Sequence, residues 1–455
     1  MKKLYLILSV ALLSLCAISA DAADKSAEQT SEVKEHLENH FKFYGFIRNY
    51  FTYDSRESVA GTGDLFNYIP KDVKLNEYGE DLNEQSSFRF LALTSRVGVD
   101  VSGYYIGNVH LGAKIEADFY NGLSKASTNV GLPSTTSVSG TAAMRLRQAY
   151  ATVTWKDLPM SGDQKASVGL KIGQAWHPMG ADFPQSFSLE VAAPFGPFSR
   201  TPLVQMDANL GSNWIITAAT IWQQQYTSNG PSGSVADYMK YSGIPEFYAG
   251  VTYKKGGFLG RVGLDVLSIK PRVQGKNSDG VTVKVSDRIT TASPFMYLQY
   301  TKNLFSLKAK TIYATAGEHI GIMSGYAKVD EYEDGSWDYA PLHNTASWVC
   351  LSYGKKWQGV LLLGYTKNLG LNEGESDKPV TADNIYFNKN GFANLNQVYR
   401  INPEIVYNFG KLTLGLEYQY TAAQYGDTFN NKGLATENLR WVANNRIQSI
   451  VRFNF

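Results

Sequence analysis

The sequence predicts an all-β protein, a transmembrane antiparallel up-and-down β-barrel of about sixteen strands preceded by a short N-terminal helical segment. Three observations support this fold class. Apolar residues recur at every second position along most of the chain, as in strands that have one apolar and one polar face. The connections between these stretches alternate between short and long. Gly and Tyr number 41 and 29 among 455 residues, which favours strands joined by tight turns.

Residues 1–22 have the features of a secretory signal peptide. Lys2 and Lys3 precede an apolar stretch, 4–18, that is too short to span a bilayer. Small residues near Ala22 predict cleavage there. No later segment contains 18 consecutive apolar residues, so the exported chain is either soluble or a barrel in the bacterial outer membrane.

Residues 23–40 form a polar segment between the signal peptide and the first strand. Val33 and Leu37 are four residues apart and would share one face of a helix. One apolar pair does not hold an isolated helix of this length. We therefore expect either a short periplasmic helix that packs against copies of itself or a disordered leader, followed by the barrel over 41–455.

Each predicted strand has one apolar and one polar side. In 110–120, odd positions are apolar, whereas positions 114, 116 and 118 are charged. Sixteen such strands leave seven short and eight long connections. The short ones lie near 102–106, 157–164, 209–212, 254–258, 302–304, 354–358 and 408–411. The long ones lie near 54–86, 122–142, 178–202, 226–244, 272–284, 318–344, 370–396 and 426–442.

The two kinds of connection fall at opposite ends of an up-and-down meander. Outer-membrane barrels have this asymmetry, whereas a soluble sandwich has no reason to segregate its loops by length. We expect 41–53 to pair with 446–455, because an open edge in lipid would leave backbone groups without hydrogen bonds. The terminal Phe455 favours recognition by the barrel assembly machinery. Aromatic residues near strand ends are typical of girdles at the lipid interface.

Neither charge nor motifs predict catalysis or nucleic-acid binding. Lys and Arg total 43 and Asp and Glu total 41, without the basic excess of a nucleic-acid-binding protein. The six His residues are not arranged as metal ligands, although His36 and His40 are four apart. No nucleophile elbow, phosphate-binding loop or dinucleotide fingerprint occurs. The sequence therefore predicts no enzyme, no metal and no cofactor.

The polar side of each strand should face the lumen, and its basic residues outnumber its acidic ones. The basic residues are Arg48, Arg96, Lys114, Arg145, Arg147, Lys171, Arg261, Lys308, Lys310, Arg400, Arg446 and Arg452. The acidic residues are Asp100, Glu116, Asp118, Asp265, Glu404 and Glu417. A basic wall favours anions. Alternatively, the cations pair with the acids and merely line water. Our pore-lining candidates are Arg48, Arg96, Lys114, Arg145, Arg147 and Arg400.

Arg145 and Arg147 are the pair among these candidates that most specifically suggests an anion-binding site. Their spacing places two guanidinium groups side by side on one face of a strand, where an anion would relieve their repulsion. The planar guanidinium suits carboxylate or phosphate. Pairing with Glu116 and Asp118 on the preceding strand is the alternative.

The third long loop, 177–202, has few charges but five Pro and four Phe residues. Such a loop is stiff and apolar, and we expect it to fold inward as a constriction loop. Packing on a neighbouring subunit is the alternative. Its candidate constriction residues are Phe183, Phe187, Phe195 and Arg200.

Three stretches, 41–54, 145–155 and 171–180, resemble corresponding segments of the DcaP-like outer-membrane porins. The matches carried over are 44–46 in the first strand, Arg145 with Arg147, and 173–176 before the constriction loop. The resemblance implies a trimeric sixteen-stranded channel with an N-terminal periplasmic helical segment. It also implies a pore that favours anionic solutes such as dicarboxylates.

The leading functional hypothesis is a homotrimeric porin, a passive channel in outer-membrane lipid for small hydrophilic, anionic solutes. A phosphate-selective porin would need a series of Lys and Arg side chains along the lumen, and a sugar-specific porin would need a series of aromatic side chains there. An outer-membrane enzyme would need a nucleophile or paired carboxylates facing one site. A barrel with a plugged lumen and a structural or adhesive role is a further alternative.

Overall fold

The computed structural model describes residues 40–61, 65–120, 143–162, 164–187, 192–387 and 393–455. The predicted signal peptide, 1–22, lies outside these ranges, as does the segment 23–40 apart from its last residue. The predicted loop 122–142 also lies outside them. Within the described ranges, no helix has both the length and the apolar character needed to cross a membrane.

Sixteen strands form one closed antiparallel barrel in which every strand pairs with its neighbours in sequence. This result confirms the predicted antiparallel barrel of sixteen strands, whereas the predicted N-terminal helical segment lies outside the described residues. The strands are β1 Phe41–Asp54, β2 in two segments Ser87–Leu91 and Arg96–Ile106, β3 Val109–Tyr120, β4 Ala143–Pro159, β5 Lys165–Trp176, β6 Arg200–Leu210, β7 Trp214–Ile221, β8 Glu246–Lys255, β9 Phe258–Ile269, β10 Ile289–Lys302, β11 Phe305–Thr315, β12 Trp337–Gly354, β13 Trp357–Gly370, β14 Leu395–Phe409, β15 Leu412–Tyr425 and β16 Arg440–Asn454.

The first and last strands close the barrel. β1 pairs with β16 from Phe46 opposite Asn454 to Asp54 opposite Arg446. The chain continues this ladder by one residue, because the backbone N–H of Phe455 donates to the carbonyl oxygen of Gly45 at 3.1 Å. The predicted pairing of the chain's two ends is therefore confirmed.

The connections have the predicted asymmetry. Seven turns of two to five residues lie at one end of the strands, and the eight long connections lie at the other. The long connections contain short strands and helical turns. The strands are Ser58–Gly61, Phe66–Pro70, Asn229–Gly230, Gly233–Ser234, Gln274–Lys276, Thr282–Lys284, Gly325–Glu331 and Ile385–Tyr386. The helical turns are Pro178–Gly180, Asp237–Ser242, Glu318–Ile320 and Ala382–Asn384.

Two predicted boundaries are wrong. The loop expected over 318–344 is shorter, because β12 begins at Trp337 and pairs with the strand Gly325–Glu331 beyond the main barrel wall. The first tight turn is 107–108 rather than 102–106. There the ladder between β2 and β3 shifts register between Val101 and Tyr104, so β2 continues through residues that looked like a turn.

The barrel presents apolar side chains outward and polar side chains inward. On β15, Leu416 is 51% exposed while the next residue, Glu417, is 1% exposed. The same alternation runs along β16, where the exposed Ile447 follows the buried Arg446. A soluble protein would bury the apolar face, so this inverted arrangement indicates that the outer surface contacts lipid.

The barrel closure gives a direct test of the fold. A Cβ atom at Gly45 would lie 2.5 Å from the carbonyl oxygen of Arg96 and 2.6 Å from the ring of Phe455. We expect Gly45→Ala to destabilise the barrel by about 1–3 kcal/mol, as overpacking does. Gly359→Ala is the matched control, because a Cβ atom at Gly359 would have no neighbouring atom within 4 Å. Urea unfolding in detergent, followed by gel mobility of unheated samples, measures both; equal stability of the two variants would contradict this closure.

Candidate functional site in the barrel lumen

The segment that follows β5, described over 177–187 and 192–199, contacts the inside of the barrel wall; we refer to it as the lumen loop. Its first part is held against β11. Nζ of Lys310 donates to the backbone oxygens of Met179 and Asp182 at 2.6 and 2.9 Å. Nζ of Lys308 donates to the backbone oxygen of Phe183 at 3.1 Å. Two wall cations, the buried Lys310 and the partly exposed Lys308, therefore satisfy carbonyl groups of the loop.

The second part of the lumen loop reaches the opposite wall. The ring of Phe195 lies directly over Gly364 on β13, and that of Phe187 lies over Gly415 on β15. The Ser186 hydroxyl donates to Glu417 at 3.3 Å. Because these contacts join β11 to β13 and β15, the loop crosses the lumen.

The first long connection also enters the barrel, which the sequence pattern did not predict. Arg446 donates to the backbone oxygen of Leu65 at 2.8 Å, and Arg400 donates to that of Asn67 at 2.6 Å. Leu65 and Ile69 are buried in the central apolar cluster. The only sequence signal was this apolar patch inside an otherwise polar loop. Arg400, a pore-lining candidate, is consequently 2% exposed.

Arg145 and Arg147 pair with the carboxylates of Glu116 and Asp118, which was the alternative to an open anion site. Arg145 holds Asp118 through Nε and Nη2, each at 2.9 Å. Arg147 donates to Glu116 at 2.9 Å and to Asp118 at 2.7 Å. Arg96 lies 3.7 Å from the same Glu116 carboxylate. Three arginines thus share two carboxylates on β3, which leaves a local excess of positive charge.

Arg200 has a different environment from the other arginines. Its side chain is fully buried at the start of β6, and its guanidinium lies over the rings of Trp176 and Phe198 at 4.7 and 5.0 Å. Nη2 donates to the hydroxyl of Tyr226 at 2.9 Å. Nε and Nη1 have no hydrogen-bond partner, and no described carboxylate pairs with this residue. Its positive charge is therefore uncompensated by the described residues.

The remaining candidates divide by exposure. Arg48 and Arg147 are buried, as are Phe187 and Phe195, whereas Phe183 is half-buried against Trp176. Of the twelve basic residues expected in the lumen, seven are partly exposed. Of the six acidic residues, only Asp100 is partly exposed. The partly exposed basic residues are Arg96, Lys114, Arg145, Lys171, Arg261, Lys308 and Arg452.

A buried cluster near the start of the lumen loop was not predicted from the sequence. His177 and His319 both meet Glu246, from 69 and 73 residues away along the chain. Asp265 lies beside them on β9. Burial also raises the pKa of the nearby Glu318 carboxyl to about 7. Asp265 was predicted on the lumen face of its strand, and Glu246 begins β8, but the two histidines come from loops whose paths no periodicity reveals.

The closed sixteen-stranded barrel, with short turns at one end and a long loop folded inside, has the architecture of outer-membrane channels. Among solved structures, it is similar to the outer membrane channel DcaP of Acinetobacter baumannii, with a TM-score of 0.62 and 15% identity. That alignment covers 91% of this chain and 97% of the other. The fold resemblance seen in the sequence is thereby confirmed.

A second similar structure is OmpT, an outer membrane protein of Vibrio cholerae folded in vitro. It has a TM-score of 0.50 and 12% identity, and the alignment covers 91% of this chain and 97% of the other. No family model matches the sequence, and no curated protein does. At these identities the comparisons establish the fold.

The anchoring of the lumen loop can be tested at Lys310. Lys310→Met keeps most of the side-chain volume but removes two charge-assisted hydrogen bonds, each contributing about 1.5–3 kcal/mol. We expect the loop to move, giving larger current fluctuations and a higher mean conductance in planar bilayers. Lys302→Met, at an exposed turn position on β10, is the control. Identical traces for Lys310→Met and the parent chain would show that the loop is held by other contacts.

Proposed function

We propose that this protein is a porin of the bacterial outer membrane, a passive diffusion channel for small hydrophilic solutes. The proposal is supported by a closed barrel with an apolar outer surface and a charged interior. The similar DcaP structure is itself described as an outer membrane channel. Export by a signal peptide cleaved near Ala22 and assembly through Phe455 belong to the same proposal.

We further propose that the pore prefers anions. The observation that carries this preference is the unequal exposure of charge: seven of twelve basic wall residues are partly exposed, against one of six acidic ones. Five of these six carboxylates are buried, and two of them, Glu116 and Asp118, are neutralised by arginines. Arg200, which pairs with no carboxylate of the described residues, adds positive potential beneath the lumen loop. A narrow passage with low-dielectric walls strengthens such a field.

Small dicarboxylates are the proposed solutes, on the strength of the resemblance to DcaP-like porins. The lumen loop is the proposed constriction, with Phe183 and Arg145 among the partly exposed groups next to the path. We also propose a homotrimer, as in that family, with 23–40 contributing to its assembly. Chemical cross-linking in outer membranes, with and without 23–40, tests the oligomer.

One observation favours a second candidate, a barrel with a closed lumen and a structural role. Two loops occupy the interior, and Arg48, Arg400 and Arg446 are almost fully buried. Reconstitution into planar bilayers separates the two candidates, because a closed barrel conducts no ions. Stepwise currents of uniform size support the porin, and their absence from correctly folded protein would favour the closed barrel.

The anion preference can be tested at Lys171. This partly exposed wall residue forms no salt bridge with a described carboxylate, and its Nζ lies 5.5 Å from the ring centre of Tyr150. A unit charge about 4 Å from a passing ion contributes about 1 kcal/mol in water. Losing this charge makes the passage of an anion less favourable and that of a cation more favourable by this amount, so we expect Lys171→Gln to lower the anion-to-cation permeability ratio roughly 30-fold and Lys171→Glu to lower it further.

Reversal potentials in a salt gradient measure this ratio, and Lys255→Glu in the exposed end of β8 is the control. The effect should weaken as salt rises, because the Debye length falls from about 10 Å at 0.1 M to about 3 Å at 1 M. Cation selectivity of the parent chain at low salt would overturn the anion preference while leaving the channel itself intact.

A further inference from the structure

A groove interrupts the apolar outer wall of the barrel across β6, β7, β8 and β9. Its volume is about 360 Å³, and it opens toward the side that faces lipid. Pockets that bind small ligands have volumes of about 300–1,000 Å³, so the groove is large enough to hold part of a ligand. The outward side chains that line it include Val204, Met206, Ala218, Phe247, Ala249 and Leu264.

The groove exists because two alanines lie side by side in its floor. The pairing of the four strands places one row of outward residues across the wall, in the order Met206, Ala218, Ala249 and Leu264. Two large side chains therefore flank two small ones. In the next row toward the tight turns, the large Ile216 and Val251 replace the alanines. The groove ends at these two residues.

The groove lies in the half of the wall next to the long connections. Ala249 is the fourth residue of β8, which begins at that end, and Ala218 is the fourth residue from the end of β7. Trp222, which directly follows β7, is 40% exposed. Exposed Trp residues mark the boundary between hydrocarbon and headgroups. The groove therefore lies at the depth of acyl chains, just beneath this boundary.

One arginine lies above the groove, at the end of the wall that Trp222 marks. Nη1 of Arg288 donates to the hydroxyl of Ser268 at 2.9 Å, and Nη2 donates to the backbone oxygen of Ser242 at 2.8 Å. Ser268 lies on the same face of β9 as the groove residue Val266, about 7 Å farther along the strand. Ser242 lies four residues before β8. The guanidinium is therefore held between the ends of β8 and β9, above the groove.

Arg288 is an exposed cation whose partners carry no charge. Its two hydrogen bonds go to a hydroxyl and a backbone carbonyl, and no described carboxylate forms a salt bridge with it. The adjacent Asp287 is already bound by Arg272 at 2.6 Å. A guanidinium has more N–H donors than these two bonds use. Arg288 can therefore still bind an anionic group from the lipid side.

We propose that the groove binds an acyl chain of a phosphate-bearing lipid and that Arg288 binds the phosphate group of that lipid. The planar guanidinium suits phosphate, and the flexible chain restores the van der Waals contacts that an empty groove would lack. Acyl chains surround the whole wall, so the cation above the groove supplies the preference. The proposal rests on the proposed outer-membrane location, with the long connections outside, and is independent of ion conduction.

A second copy of this chain is the other occupant that an apolar groove could accept. A copy would have to fill the groove with an apolar side chain and also place an acid beside Arg288. A lipid with a phosphate group supplies both parts in one molecule, in the order in which the wall presents them. Charge complementarity at Arg288 therefore favours the lipid.

The test of the phosphate contact is native mass spectrometry of the full mature chain, folded in detergent and titrated with dipalmitoyl phosphatidic acid. Dipalmitoylglycerol, which has the same chains but no phosphate, is titrated in parallel. We expect one phosphatidic acid per chain, bound about 10-fold more tightly than dipalmitoylglycerol. Arg288→Gln should remove this difference without changing the affinity for dipalmitoylglycerol. Lys367→Gln, at an exposed outward position on β13, is the control.

The test of the acyl-chain contact is a larger residue in the floor of the groove. Ala249→Leu should weaken the binding of both lipids by about 10-fold, because it fills space that the chain would occupy. Ala309→Leu is the matched control, since this alanine lies between the inward Lys308 and Lys310 and faces outward away from the groove. Gel mobility of unheated samples verifies folding. If Ala249→Leu does not fold, Ala218→Leu fills the same floor from β7.

Equal affinity of the parent chain for the two lipids, or equal retention of phosphatidic acid by the parent chain and folded Arg288→Gln, would overturn the proposal. A changed oligomer mass for Ala249→Leu with unchanged lipid binding would instead assign the groove to contact between copies. Planar-bilayer currents separate this site from the porin. A parent chain that conducts but retains no phosphatidic acid overturns only the lipid site, whereas one that retains it but conducts no ions contradicts only the porin.

Discussion

The structure depends on one constraint: a barrel that turns its apolar side chains outward must satisfy its polar side chains within a closed interior. Water-exposed pairs contribute little, but a buried charge without a partner is costly. Arg145 and Arg147 meet this requirement through Asp118, whose side chain is fully buried. Arg446 meets it through Asp54 at 3.1 Å across the closing pair β1 and β16. The ion pairs therefore fix the wall and also determine which charges remain for solutes.

Loops supply the partners that the wall lacks. Lys310 donates to the lumen loop, and Arg400 donates to the first long connection, in both cases through backbone oxygens. Gly364 and Gly415 leave room for the rings of Phe195 and Phe187 to lie flat on the wall. The interior is thus completed by segments that look like ordinary surface loops in the sequence. Their position depends on the cations and glycines that face them across the barrel.

The fold could be predicted because its signals are local. Alternation of period two along β15, the length of each connection and the apolar end of β16 are all visible within single stretches of sequence. The pairing of charges could not be predicted, because it depends on register between strands. A bulge between Glu116 and Ala117 shifts the ladder of β3 and β4 by one residue. The cluster around Glu246 adds two loop histidines whose positions depend on tertiary folding.

Exposure, more than total charge, therefore determines what a solute meets. The chain has a net charge of +2, yet more of its basic than of its acidic wall residues are partly exposed. Carboxylates such as Glu116 are short and are buried among several donors, whereas Lys171 and Lys308 have long side chains that stay partly exposed. Long basic side chains keep their charged ends in water even when their stems are covered. A chain whose basic and acidic residues are almost equal in number can in this way present a basic surface to the proposed solute path.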